Sequence, residues 1–99
     1  MKVQFAQGIT SPKGVTEETV SAIGNAIYTA VTKVYASVQS LSAVAHVGKG
    51  KDKKSYLTNV EVNKGGGGVL RFLSIQEATE AQAKAKNDKN PCKSCVVSI

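Results

Sequence analysis

The stretch TEETVSAIGNAIYTAVTKV, residues 16–34, is followed closely by LSAVAHV, residues 41–47, and between the two the spacing of apolar residues changes from near four to two. In the first segment Val20, Ile23, Ile27, Ala30, Val31 and Val34 recur three and four apart, which predicts one apolar stripe along a helix of roughly five turns. Ser21, Asn25, Thr29 and Lys33 fall on the opposite side. Thr16 is placed to cap this helix, and Glu17 and Glu18 complement its positive end. Burying Val20, Ile23, Ile27, Val31 and Val34 would contribute on the order of 10 kcal/mol before conformational entropy is subtracted.

In the second segment Leu41, Ala43, Ala45 and Val47 share one face of an extended strand, while Ser40, Ser42, Val44 and His46 share the other. Residues 48–54, GKGKDKK, interrupt it. Tyr56, Thr58, Val60 and Val62 then alternate with Leu57, Asn59 and Glu61, so the two runs predict a β-hairpin with a polar, glycine-containing tip.

Upstream, Val3, Phe5 and Gln7 alternate over residues 2–9 as a short strand, and residues 10–14, TSPKG, form a turn-rich linker. Downstream, four glycines at 65–68 form a second loop, and residues 69–73 read as a strand antiparallel to its predecessor. Ser74 with Glu77 matches a capping box, and Ile75, Ala78, Ala81 and Ala85 predict a helix with a thin apolar face ending near Asn87. Asn90 and Pro91 break it, and residues 95–99 predict a last short strand on a sheet edge. The expected fold is therefore α+β: an antiparallel sheet of three to five strands, with one long amphipathic helix and a second shorter helix packed on one face. At 99 residues the chain is expected to form one domain, 1–99, with a basic C-terminal segment at 84–93.

The order of strand, Thr10 and Ser11 turn, long amphipathic helix and hairpin over residues 1–62 resembles in outline the dodecin flavin-binding proteins. That resemblance implies a small-molecule binder. The family stacks its flavin on a Trp in the strand after the helix, and this chain has no Trp. A split βαβ arrangement of the ferredoxin-like type fits the element order equally well.

The net charge of +6 is concentrated. Lys49, Lys51, Lys53 and Lys54 against Asp52 give +3 over residues 48–54, and Lys84, Lys86, Lys89 and Lys93 against Asp88 give +3 over residues 84–93. The remaining basic and acidic residues balance. Such a distribution attracts polyanions, and lysines, as point charges without a fixed hydrogen-bonding fork, suit sequence-independent phosphate contact.

Other chemistry is poorly provided for. Residues 48–54 do not make a phosphate loop, because a strand comes next where the phosphate-holding helix would have to begin. The glycines at 65–68 lack the dinucleotide spacing. With one His and seven acids in the chain, His46 has no Asp or Glu near it in sequence and is assigned no catalytic or ligand role. Tyr56 and Phe72 fit core packing better than base stacking, since no RNP1 pattern surrounds them. Cys92 and Cys95 form a CxxC, for which a disulfide or unpaired thiols are favoured over zinc, because one chain offers no further ligands. Too few residues follow Cys95 to build the helix of a thioredoxin-type site.

The expectation is a small, basic, non-enzymatic binding protein and homodimer, with no cofactor and no metal. It would contact nucleic-acid phosphates through Lys49, Lys51, Lys53, Lys54, Arg71, Lys84 and Lys86. The alternative is a structural or protein-interaction module of viral or mobile-element origin. No apolar run suggests a signal peptide or a membrane span, so a cytoplasmic location is expected.

Overall fold

The computed structural model describes residues 2–35, 39–65, 67–89 and 95–99. In chain order they form β1 (Lys2–Phe5), α1 (Glu17–Thr32), β2 (Gln39–Val47), a 3-10 turn (Gly50–Asp52), β3 (Lys54–Asn63), β4 (Val69–Ala78), α2 (Glu80–Lys89) and β5 (Val96–Ser98). The five strands make one sheet in the order β1-β4-β3-β2-β5.

The sheet is mixed, where an antiparallel one was expected. β2, β3 and β4 form an antiparallel meander, but β1 joins β4 in parallel and β5 joins β2 in parallel. The meander was readable because short loops join neighbouring strands. A parallel edge strand leaves no such local mark, since its partner lies far along the chain.

α1 follows its sequence pattern. The Thr16 hydroxyl accepts from the Thr19 amide at 3.2 Å, and Val20, Ile23, Ile27 and Val31 are buried against the sheet. Val34 lies beyond the last turn and is 52% exposed, so it adds nothing to the stripe. Opposite α1 lie Ala43 and Ala45 of β2, Tyr56, Val60 and Val62 of β3, and Leu70, Phe72 and Ile75 of β4. Tyr56 and Phe72 are thus core residues and offer no stacking platform. Thr58, also fully buried, donates its hydroxyl proton to the Ala43 carbonyl at 2.9 Å.

The second helix corrects two expectations. Ser74 and Glu77 do not cap it, because β4 runs on to Ala78, with Ile75 paired to Thr58 in the core. The capping box sits five residues later: the Gln82 amide donates to the Thr79 hydroxyl at 3.1 Å, and the Thr79 amide donates to Gln82 Oε1 at 2.9 Å. The two helices also do not share a face. α2 lies over Val44, His46 and Leu57, whose side chains alternate with the core residues Ala43, Ala45 and Tyr56 and point to the other side of the sheet. Val44 and Leu57 are apolar residues on this face, and the alanines of α2 cover them; Ala83 is buried there at 2% exposure.

Candidate functional site

The hairpin tip is built by two glycines. Gly48 (φ +89°) and Gly50 (φ +62°) take left-handed conformations on either side of Lys49 and allow the 3-10 turn to close between Val47 and its partner Lys54. At Gly48 a Cβ would also stand 3.1 Å from the Asp52 carbonyl. Lys49 and Lys51 project from this tip, exposed and without an ion pair among the described residues.

Lys53 and Lys54 at the base of the tip are different. Lys53 Nζ is 3.6 Å from Glu80 Oε1 and Lys54 Nζ is 3.5 Å from Glu77 Oε1. The first of these pairs joins the tip to the first turn of α2. One turn further along that helix, Lys84 lines the same cleft as Lys53. Two basic segments some thirty residues apart in sequence therefore meet on the outer face of the sheet.

That cleft has a volume of about 380 Å³ and runs between α2, β2 and β5. Val44, Val96, Ala81 and Ala83 supply its apolar lining; His46, Lys53, Lys84 and Glu80 supply its polar groups. His46 is placed by strand register, directly opposite Ser55, and its Nδ1 lies 2.8 Å from the Ser55 hydroxyl. Ser55 is 4% exposed and orients the ring. Burial holds the His46 pKa below its ordinary value, the Lys53 ammonium lowers it further, and Glu80 opposes both. A neighbouring hollow is lined by Gly50, Lys51, Lys53, Lys54 and Ser55 with Glu77 and Glu80.

Of the residues expected to bind phosphates, Lys49, Lys51, Lys53, Lys54 and Lys84 surround this end of the molecule. Lys86 is half-buried further along α2, beside Leu57, Gln82 and Ala85. Arg71 is elsewhere. It pairs with Glu61 at 3.6 Å, and their register places them seven residues from Lys54 along β3, roughly 23 Å away at 3.3 Å per residue. Cys92 lies outside the described residues, and with it the pairing expected of the CxxC. Cys95 is fully buried, and its carbonyl accepts from the Val44 amide at 3.0 Å.

Among the described residues no group of His, Cys, Asp and Glu is arranged to hold a metal ion. No helix among them is long and apolar enough to cross a membrane. No protein-family model, curated protein or solved structure matches the chain.

Sequence reasoning missed Ser55, Glu77 and Glu80. The first was within reach: once a hairpin closes around residues 50–52, counting outward puts His46 opposite Ser55. The two glutamates were assigned to a helix that starts at Ser74, and only the longer β4 brings them beside the tip.

Proposed function

We propose that this protein binds nucleic acid without catalysis, through a basic surface formed by the hairpin tip and α2. The observation that carries this is the meeting of the two lysine segments across the Lys53 and Glu80 pair, with Lys84 in the same cleft. A polyanion lying on this end would meet Lys49, Lys51 and Lys84 first, reach Lys86 further along α2, and gain Lys53 and Lys54 by displacing Glu80 and Glu77. Arg71 takes no part. Nothing in this surface offers the planar fork that reads base edges, so the contact is to phosphate and is indifferent to sequence.

Titrating a labelled duplex at several salt concentrations tests this. Four phosphate contacts give a slope of log affinity on log salt near −3.6, and six give about −5.4. No binding at low salt, or a slope near zero, refutes it.

A second role, as an assembly module forming a homodimer, is favoured by β1, which stands at the end of the strand order with Phe5 37% exposed. Strand pairing at that edge would double the mass in solution, which light scattering measures.

A further inference from the structure

We infer that the cleft between α2 and the outer face of the sheet is a discrete binding site for a small phosphomonoester, distinct from the tip's diffuse contact with polyanions. Three observations converge on it. Its volume of about 380 Å³ falls within the range of roughly 300 to 1,000 Å³ usual for small-molecule sites. Its lining is divided, with Val44, Val96, Ala81 and Ala83 providing an apolar floor and Lys53, Lys84 and His46 nitrogen donors. Its histidine is held in place by a buried hydroxyl, which fixes the ring before any ligand arrives.

The donors suit a dianion. Lys53 and Lys84 carry two positive charges against the single carboxylate of Glu80, a net +1 that a bound dianion takes to −1 and that a protonated His46 brings to balance. Ser55 occupies His46 Nδ1, and Nε2 has no hydrogen-bond partner among the described residues. When the Ser55 hydroxyl donates to Nδ1, the proton of the neutral ring resides on Nε2, where it can donate to a phosphate oxygen. Below the His46 pKa both ring nitrogens carry protons and the site gains a third cation. The groups facing the ring are Ser55 from β3, Lys53 from the tip, and Glu80 and Lys84 from α2, so a bound dianion favours the imidazolium against the burial that disfavours it. Ala81 and Val96 are the apolar lining residues left open in the cleft, and an organic body on the phosphate would cover them. Inorganic phosphate alone leaves Ala81 and Val96 uncovered.

The test is a nuclear magnetic resonance titration with phenyl phosphate, inorganic phosphate and phenol as separate probes, following the His46 ring protons and the Ala83 and Val96 amides. Saturable shifts at these three residues are expected with phenyl phosphate, with affinity at least about tenfold above both inorganic phosphate and phenol. Lys84→Ala is expected to weaken phenyl phosphate binding at least fivefold, whereas Lys49→Ala combined with Lys51→Ala leaves it unchanged and lowers duplex affinity. His46→Gln should remove the His46 contribution to the pH dependence of binding while keeping the fold. The site is refuted if phenyl phosphate and inorganic phosphate bind equally, or if no saturation is reached by about 10 mM. It is equally refuted if the tip variant loses as much affinity as Lys84→Ala. Failure of duplex binding with phenyl phosphate binding intact would remove the polyanion role alone.

Discussion

Neutralising Glu77 and Glu80 together, as Glu77→Gln with Glu80→Gln, should make the protein bind duplex DNA more tightly. Both carboxylates hold lysines of the tip in ion pairs longer than 3.4 Å, and the partners are well exposed, with Lys53 at 38% and Glu80 at 78%. Pairs of this kind contribute about 0.2 to 1 kcal/mol each. Releasing both on binding therefore costs the native protein about 1 kcal/mol, close to fivefold in affinity, which the variant does not lose. The salt slope carries more information. If Lys49, Lys51, Lys84 and Lys86 alone met phosphates, affinity would fall about 150-fold between 50 and 200 mM salt; with Lys53 and Lys54 released on binding, the fall is about 1,800-fold in native protein and variant alike. Fluorescence anisotropy of a labelled duplex across that salt range measures both quantities. A variant with the affinity of the native protein and only the smaller fall would show that these lysines do not touch phosphate, and the polyanion surface would be lost with them.

Three further outcomes follow from the structure. Gly24→Ala places a Cβ 2.7 Å from Val3 Cγ2, so overpacking of about 1 to 3 kcal/mol should exceed the gain of about 1 kcal/mol from helix propensity; urea denaturation of this variant with and without Val3→Ala should show the second change relieving the first. His46 is held below its ordinary value of 6.5, so the unfolded chain binds the proton first, and its contribution to stability, complete above pH 6.5, declines as pH falls through the lower folded-state value. His46→Gln should remove that part of the decline in urea midpoints. Thr79→Ala should cost about 1 kcal/mol of α2 stability by removing its cap, seen as lower helical circular dichroism and faster amide exchange at Ala83, with duplex binding weakened as Lys84 loses its anchor.

What could be read from the residues alone was whatever local periodicity encodes. The cap at Thr16, the stripe of α1 and the hairpin around the lysine tip all rest on contacts between near neighbours. The start of α2 was misread because Ser74 and Glu77 reproduce the spacing of a capping box, and Ile75 and Ala78 a helical spacing, inside what is a strand. A register shift beside Asn59 and Val60 helps conceal it by disturbing the alternation of β4, so that Phe72 and Ile75, three apart, both face the core. The lysines were legible from composition. That two of them are tied by glutamates, and that Arg71 stands far away beside Glu61, depended on sheet order, which no short stretch records.

The parallel attachment of both outer strands bears on how the chain reaches this state. Lys2 pairs with Val69 and Val44 with Val96, each closing a long excursion of the backbone, whereas the meander closes through short turns. Loop-closure entropy favours assembly of the three central strands first, with the two ends docking afterwards. Because Val96 completes the cleft only when β5 has docked, the lysine tip should form earlier in refolding than the pocket beneath α2.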